Sequence, residues 1–279
     1  MISNKRWLMK QFFKQLLPQP VWRFGRDVYD AFRRIPELPA AYLHPWRRES
    51  IKRLAALKDI HKGKRAFVIG NGPSLKQTDL SKLKNEITFG MNRIYLAFPD
   101  WGFTTTYICV TNELVVGQFV DDINALPIPR FIAWHTRRHF PAQLPLTQLP
   151  TFVYTSYTGP GFSSDIRGRV WEGATVTNLA LQLAFHMGVE KAILIGVDHN
   201  FTSKGEANKK VVSEGDDPNH FMPNYFGKGI KWQLPDLDTS EIGYRIARDA
   251  YRKAGREVVD ATVGGKLTIF PKVDYNTLF

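Results

Sequence analysis

The apolar run at residues 66–69 stops in a tight turn with the sequence Gly70-Asn71-Gly72-Pro73-Ser74. An apolar run that stops in glycine, asparagine and proline is typical of a buried strand that ends in a turn. Glycines let backbone amides approach a ligand, and Ser74 can cap a following helix, whose N-terminus favours phosphate. Ordinary strand-to-loop turns share this composition. The turn therefore predicts part of a nucleotide-phosphate site that other segments must complete.

Polar side chains also follow two later apolar runs. Asn92 comes after the run that begins near Ile87, and Thr111 and Asn112 follow the run that contains Cys109. Asparagine both donates and accepts hydrogen bonds, which suits recognition of a base, a ribose or sugar hydroxyls. Each of these residues is equally suited to forming a turn at the end of a strand. We expect them to face one crevice together with the glycine turn.

A helix-strand unit spans residues 173–198. Gly173 and small hydroxyl residues open an apolar helical stretch, and a buried strand follows and ends at Asp198. Thr175 and Thr177 lie where the N-terminus of a helix can bind a phosphate or carboxylate. Asp198 stands at the carboxyl end of a strand, where α/β folds place catalytic or ribose-binding acids.

Two short motifs could bind metal but favour other interpretations. His135 and His139 have a His-x-x-x-His spacing, but no third ligand accompanies them, so the surrounding basic segment is better suited to an anionic substrate. Asp236 and Asp238 form an Asp-x-Asp pattern, which in some transferases holds a divalent ion. Because Glu241 follows Asp238 by three residues, we interpret this stretch as the cap of a helix. No metal site is predicted.

Strands that alternate with helices from residue 64 onward predict an α/β fold, a doubly wound and mostly parallel Rossmann-like sheet with helices on both faces. The predicted catalytic domain covers residues 64–279, and a basic N-terminal helical extension covers residues 1–63. One cysteine, Cys109, excludes disulfides within the chain and agrees with a reducing, cytoplasmic location. No apolar run is long enough to span a membrane.

The positive charge is concentrated near the N-terminus. Residues 1–65 carry 16 Lys and Arg against 5 Asp and Glu, which accounts for eleven of the twelve net charges. The apolar and basic residues of segment 5–17 alternate at helical spacing, which predicts an amphipathic helix. Such a helix can bind an anionic membrane surface, pack on the protein, or pair with a second copy in a homo-oligomer. Nucleic acid is disfavoured, because the aromatic residues share one apolar face.

The turn at 70–75, Asn92 and the 173–198 unit together resemble the 6-hydroxymethylpterin diphosphokinase MptE-like family. They are also similar, more loosely, to bacterial sialyltransferases that use CMP-sialic acid and share an Asn-Gly-Pro-Ser-Leu turn. The sialyltransferase resemblance implies that Asn71, Gly72, Ser74 and Asn92 line a nucleotide-sugar site. It also implies that Thr175 and Asp198 lie near the phosphate and ribose.

The same resemblance implies metal-independent chemistry with a histidine base. Asn224 stands at the position that corresponds to the catalytic histidine of the sialyltransferases, so His220 or His199 would serve instead. An unshifted histidine pKa near ~6.5 suits removal of a proton from an acceptor hydroxyl.

The sequence therefore predicts a glycosyltransferase-like enzyme without a required cofactor. It would transfer a sugar from a nucleotide-sugar donor to a glycan or glycolipid acceptor at the cytoplasmic face of the inner membrane. An ATP- and Mg²⁺-dependent pyrophosphoryl transfer is the alternative that the MptE-like resemblance implies, with Asp198 as one candidate ligand. A non-catalytic nucleotide-binding scaffold at the membrane surface is a third interpretation.

Overall fold

The computed structural model describes residues 18–203 and 205–279. The amphipathic helix predicted over residues 5–17 lies outside these ranges. The chain divides into two compact units, Met1–His44 and Pro45–Phe279. None of the helices within the described ranges is long and apolar enough to cross a membrane.

The first unit contains helices α1, Gln19–Arg34, and α2, Leu38–Leu43. Proline at the start of α1 occupies the first turn, where its missing amide has no partner to lose. Apolar side chains recur along α1 at helical spacing, and Phe24 and Phe32 are 72% and 67% exposed. Arg26 and Arg34 form ion pairs with Asp27 and Asp30. This unit thus presents an exposed apolar stripe beside paired charges.

The second unit begins with helix α3, Pro45–Ala56, which packs on the sheet. The Ser50 hydroxyl accepts a hydrogen bond from the Phe152 amide at 2.9 Å, and Arg53 donates to the Leu149 carbonyl at 2.6 Å. The structural division therefore precedes the boundary expected at residue 64. Residues 45–65 hold 8 Lys and Arg against 2 Asp and Glu, so more than half of the N-terminal charge excess belongs to this unit.

The remaining helices of the second unit are α4, Phe98–Trp101, α5, Glu113–Ala125, α6, Val176–His186, and α7, Leu237–Lys253. Its strands are β1, Arg65–Ile69, β2, Thr88–Met91, β3, Tyr107–Val110, β4, Arg130–Ala133, β5, Thr151–Ser156, β6, Arg169–Trp171, β7, Lys191–Ile195, β8, Lys210–Val212, β9, Lys231–Gln233, and β10, Glu257–Asp260.

Eight of these strands form one parallel sheet in the order β10-β7-β1-β2-β3-β4-β5-β6. The chain builds the sheet from β1 to β6 in one direction and then returns through α6 to place β7 on the other side of β1. The strand order therefore reverses between β1 and β7, which is where doubly wound sheets bind ligands. The predicted α/β, doubly wound, Rossmann-like fold is confirmed.

The core explains why the strands read as continuous apolar runs. Residues 66–69 of β1 and 192–195 of β7 have no exposed surface, because the parallel sheet is covered on both faces. Helices α6 and α7 pack together, and the Tyr251 hydroxyl donates to the Leu181 carbonyl at 2.8 Å. The cap of α7 is Asp236, which accepts from the Thr239 amide at 3.0 Å, and not Asp238 as expected.

Strands β8 and β9 form a separate antiparallel pair within residues 201–233, which we name the hairpin segment. The polar, glycine-bearing sequence of residues 201–229 predicts a mobile lid or a surface insertion and does not reveal the two strands. Gln118 of α5 binds both the amide and the carbonyl of Lys231, at 2.9 and 2.8 Å. The Phe221 amide donates to the Asn71 carbonyl at 2.9 Å. These bonds hold the hairpin segment beside the glycine turn.

Candidate functional site

A cavity of about 160 Å³ lies at the carboxyl ends of β1 and β7, where the strand order reverses. Its walls come from the glycine turn, the segment after β7, the first residues of α6 and α7, and the hairpin segment. The predicted site residues that line it are Gly70, Asn71, Gly72, Thr175, Thr177, Asp198, His199 and His220. The structure thus brings most of the predicted site together.

The two glycines allow the ends of β1 and β7 to approach each other. The Gly70 amide donates to the Ile195 carbonyl at 2.7 Å, and the Gly72 amide donates to the Gly196 carbonyl at 2.8 Å. A Cβ atom at Gly70 would lie 2.1 Å from the Gly196 oxygen. Both glycine amides therefore already have partners within the protein, so they do not form the phosphate cradle expected from the sequence.

Asp198 fastens the glycine turn to the end of β7. Its two carboxylate oxygens accept hydrogen bonds from the amide and the hydroxyl of Ser74, at 3.2 and 2.8 Å. Burial raises the pKa of Asp198, and the two bonds from Ser74 act in the opposite direction. Pro73 begins the short helix Pro73–Gln77 that presents Ser74 to this carboxylate. The contacts of Asp198 assign it a positioning role for the turn.

Three asparagine oxygens are buried without a hydrogen-bond partner among the described residues, and two of them, those of Asn71 and Asn92, belong to predicted site residues. Asn71 donates from Nδ2 to the Met91 carbonyl at 3.0 Å, which leaves its Oδ1 atom unpartnered. Asn92 follows β2 with a φ of 50°, and its Oδ1 atom is also unpartnered. A buried acceptor without a donor costs about 1–3 kcal/mol. Asn71 lines the cavity, so its oxygen is suited to accepting a hydrogen bond from a ligand there, whereas Asn92 is not among the residues that line it.

The N-terminus of α6 forms the opposite wall of the cavity. Gly173 and Ala174 have φ values of 59° and 55°, and this left-handed geometry is strained for alanine. Thr175 caps α6 by accepting from the Thr177 amide, and its hydroxyl lies 3.4 Å from the Tyr244 hydroxyl. Helix amides and hydroxyl groups that face a cavity favour an anion such as phosphate.

Thr111 and Asn112 do not line the cavity. Asn112 caps α5, because its Oδ1 atom accepts from the amides of Leu114 and Val115. Its Nδ2 atom donates to Gln233 of the hairpin segment at 3.3 Å. Thr111 is buried at the end of β3, near His135. Both residues follow β3, which lies two strands away from β1.

His220 forms a carboxylate-imidazole pair at the cavity wall. Its Nδ1 atom donates to Asp217 at 2.7 Å, and its ring stacks on Tyr225 at 4.0 Å between centroids. Asp217 also accepts from the Asn219 amide at 2.9 Å. A carboxylate that holds Nδ1–H fixes the tautomer in which Nε2 can accept a proton. The sequence analysis missed Asp217, although its position three residues before His220 is the signal that could have shown it.

His199 is constrained in a different way. It adopts a φ of 53°, and its Nε2 atom lies 3.1 Å from Glu241 of α7. Its ring also contacts Tyr244 edge-on. Because Glu241 occupies Nε2, His199 is less well placed than His220 to accept a proton from a ligand.

A second polar cluster lies at the carboxyl ends of β4, β5 and β6. His135 lies between the Tyr157 hydroxyl, 2.9 Å from Nε2, and the Glu172 carboxylate, 3.6 Å from Nδ1. Burial lowers the pKa of His135 to about 4, with a further contribution from Arg137. Burial also raises the pKa of Glu172 to about 7, against a hydrogen bond from Thr155. The sequence analysis identified His135 alone of this cluster.

The Glu172→Gln variant is expected to gain stability relative to the wild type as pH rises. Between pH 4.5, the ordinary value, and about 7, folded Glu172 keeps a proton that the unfolded chain releases, so wild-type stability falls across this window. The lost free energy of unfolding approaches about 3 kcal/mol above pH 7. Glutamine cannot ionise, so the difference between the two proteins should widen by that amount.

Denaturant unfolding at several pH values measures this difference. The lowered pKa of His135 destabilises both proteins as pH falls from 6.5 toward 4, and it therefore contributes little to the difference. Glu206→Gln, at an exposed position, is the matched control and should follow the wild type. If the free energy of unfolding changed with pH equally in the Glu172→Gln variant and the wild type, the assignment of a buried, neutral carboxyl would be contradicted.

The fold and the cavity define a Rossmann-like α/β protein with a ligand site at the point where its strand order reverses. Residues 46–204 match the model of the family described as 6-hydroxymethylpterin diphosphokinase MptE-like, and the chain belongs to this family. The resemblance stated from the sequence is confirmed. No curated protein matches the sequence.

The chain is also similar to solved structures. The MAf glycosyltransferase from Magnetospirillum magneticum AMB-1 is similar with a TM-score of 0.49 and 17% sequence identity. The similarity covers 89% of this chain and 41% of that protein, so this chain spans less than half of its length.

Proposed function

We propose that this protein is a glycosyltransferase-like enzyme that binds a nucleotide-activated sugar in the cavity between β1 and β7. The observation that carries the proposal is the Asp217–His220 pair at the wall of a cavity that also contains the N-terminus of α6. A base and an anion-binding helix end in one cavity suit the transfer of a group away from a phosphate.

The donor nucleotide would be held by groups on opposite walls. The amides and hydroxyls at the start of α6 face the position of the donor phosphates, and they stabilise the negative charge that develops as the nucleotide leaves. The unpartnered oxygen of Asn71 accepts from an amino or hydroxyl group of the base, ribose or sugar. Binding removes the cost of leaving this oxygen without a donor.

His220 is the base in this proposal. Its Nε2 atom takes the proton of an acceptor hydroxyl as that oxygen attacks the sugar, and Asp217 stabilises the imidazolium ion through Nδ1–H. The bond between the sugar and the phosphate breaks, and the nucleotide leaves with the electron pair. No step requires a metal ion held by the protein.

The family name supports a second candidate function, an ATP-dependent diphosphokinase, which would bind Mg²⁺ with the nucleotide. The carboxylates that line the cavity are Asp198 and Asp236. Both oxygens of Asp198 accept from Ser74, and those of Asp236 accept from Thr239 and Asn208. Among the described residues, no group of three His, Cys, Asp or Glu could hold a metal ion. The residues therefore do not fit a preformed magnesium site.

Thermal stability with CMP, CDP, UDP, GDP and ATP, each with and without Mg²⁺, tests the proposal. We expect a pyrimidine nucleotide to raise Tm without Mg²⁺, by mass action on the folded state. Asn71→Ala should weaken this nucleotide's binding about five- to tenfold, for one lost hydrogen bond of about 1–1.5 kcal/mol. Asn85→Ala, at an exposed position, is the control. Stabilisation by ATP with Mg²⁺ alone would favour the diphosphokinase, and no stabilisation at all would favour a scaffold.

We further propose that the acceptor is a surface polysaccharide or glycolipid and that the apolar stripe of α1 binds the cytoplasmic face of the membrane. Phe24 and Phe32 are the most exposed aromatic residues of this stripe. Replacing both with serine should reduce flotation with anionic liposomes at least tenfold. Unchanged flotation would contradict the membrane role, and a dimer that the two substitutions dissociate would assign the stripe to a homo-oligomer instead.

A further inference from the structure

The cluster of Glu172, His135 and Tyr157 has the order of a carboxylate, an imidazole and a hydroxyl. His135 follows β4, Tyr157 follows β5, and Glu172 follows β6, so three adjacent strands bring them to one edge of the sheet. The Tyr157 hydroxyl lies 2.9 Å from Nε2 of His135. On the other side of the ring, the Thr155 hydroxyl lies 3.4 Å and the Glu172 carboxylate 3.6 Å from Nδ1.

The two ends of this cluster differ in their exposure. Glu172 is 4% exposed, and its Oε1 atom has no hydrogen-bond partner among the described residues. Tyr157 is 62% exposed, although its hydroxyl is bonded to His135. A buried carboxyl with an unused oxygen is thus connected through one ring to a phenol that a reactant can reach from solvent. Nothing in the proposed transfer between Asp217, His220 and the donor uses this connection.

We propose that Tyr157 is an activated nucleophile and a site of covalent modification, with His135 as its base and Glu172 as the final proton acceptor. The electrophile is the carbon or phosphorus of an activated, phosphate-linked group. Its supply by a nucleotide-activated donor rests on the proposed function, whereas the activation of Tyr157 does not. An adjacent base is the usual way in which proteins make a neutral hydroxyl nucleophilic.

In the proposed reaction of Tyr157, one bond forms, one bond breaks, and the residues of the cluster take up the released proton. The Tyr157 oxygen forms a bond to the electrophilic atom, and the bond from that atom to its leaving phosphate breaks, so the phosphate leaves with the electron pair. The phenol proton moves to Nε2 of His135, and the Nδ1 proton moves to Glu172, directly or through Thr155. Burial raises the pKa of Glu172 to about 7, so the step requires the ionised carboxylate that forms above this pH, and the carboxylate then takes up the proton.

The surroundings of Tyr157 favour anionic reactants. Burial and Glu172 raise the pKa of Tyr157, against a smaller opposite effect of Arg138, so the phenol needs a base to remove its proton. Arg138 also pairs with Glu113, and Arg137 lies near His135. Arg169 donates to the carbonyls of Thr158 and Gly159 in the loop that carries Tyr157. Arginine side chains around the phenol attract a phosphate-linked substrate and stabilise its leaving group.

Labelling of the full chain with benzenesulfonyl fluoride tests the activation. In this reaction the phenol oxygen bonds to sulfur, fluoride leaves, and the proton follows the same path to Glu172. Tyr29 is the matched control, because it is 64% exposed and its described contact is with Arg33 and not with a base. We expect Tyr157 to be sulfonylated at least tenfold faster than Tyr29 near neutral pH, as measured by peptide mass spectrometry.

Two variants test whether the labelling rate of Tyr157 depends on His135 and Glu172. Glu172→Gln and His135→Asn should each reduce labelling of Tyr157 to the rate of Tyr29, whereas labelling of Tyr29 itself should not change. Labelling of Tyr29 and thermal unfolding confirm in the same samples that the variants are folded. Equal rates at Tyr157 and Tyr29 in the wild type, or fast labelling that survives Glu172→Gln, would overturn the inference.

The outcome is independent of the proposed function. Benzenesulfonyl fluoride needs no nucleotide, so loss of selective labelling would remove the Tyr157 site and leave the donor cavity unaffected. Conversely, failure of every nucleotide to stabilise the protein would contradict the proposed function without changing the labelling result.

Discussion

Substituting Gly72 with alanine is expected to destabilise the protein by about 3 kcal/mol and to abolish nucleotide binding. A Cβ atom at this position would lie 1.6 Å from Oδ2 of Asp198 and 2.8 Å from the Gly196 carbonyl oxygen. The backbone of Gly72 has φ −71° and ψ 158°, which alanine adopts without strain. The expected loss of stability therefore comes from the steric clash of the added Cβ atom alone.

Urea unfolding and nucleotide thermal shifts measure the two effects. Gly168→Ala is the control, because a Cβ atom there would meet nothing within 4 Å. The Gly72→Ala, Asp198→Ala double variant removes the closest clashing atoms, so its loss of stability should be smaller than the sum of the two single losses. If Gly72→Ala were as stable as Gly168→Ala, the packing of Asp198 against the turn would be disproved.

Replacement of His220 with asparagine is expected to lower the rate of transfer by about 100- to 10,000-fold, which is the contribution of a positioned base. Donor binding should change little, because the phosphates are assigned to α6 and not to His220. His199→Asn is the matched control, since asparagine tolerates the left-handed backbone at that position. We expect this second variant to retain the wild-type rate within a few-fold.

The measurement is single-turnover transfer from the nucleotide donor that stabilises the protein. An equal loss of rate in both variants, or a loss confined to His199→Asn, would reassign the base.

Much of the fold could be predicted from the sequence. Strands of a sheet covered on both faces must be apolar throughout, so β1, β3 and β7 appear as short uninterrupted apolar runs. The order of the strands in the sheet is less evident from the local sequence. Asn71 and Asn112 both follow strands, but β3 lies two strands from β1, and only the three-dimensional arrangement separates a residue that lines the cavity from a helix cap.

The location of the candidate site could be predicted from the sequence, but the hydrogen bonds within it could not. The glycine turn, Thr175 and Asp198 do meet, as the strand ends suggested. The sequence could not show that Gly72 donates to Gly196, because that bond depends on how β1 and β7 pair across more than a hundred residues. Asp217 was not predicted because its polar, glycine-bearing surroundings are typical of a surface loop, although its spacing of three residues from His220 is visible in the sequence.

The hairpin segment carries both Asp217 and His220, to which the proposed function assigns the base. An isolated pair of strands has little stability in water, and this pair depends on Gln118 and on the contact of Phe221 with the glycine turn. Under the proposed function, an opening of this segment that admitted water would also withdraw the base from the donor. Hydrolysis of the activated donor would then be suppressed, because the base and one wall of the cavity belong to the same segment.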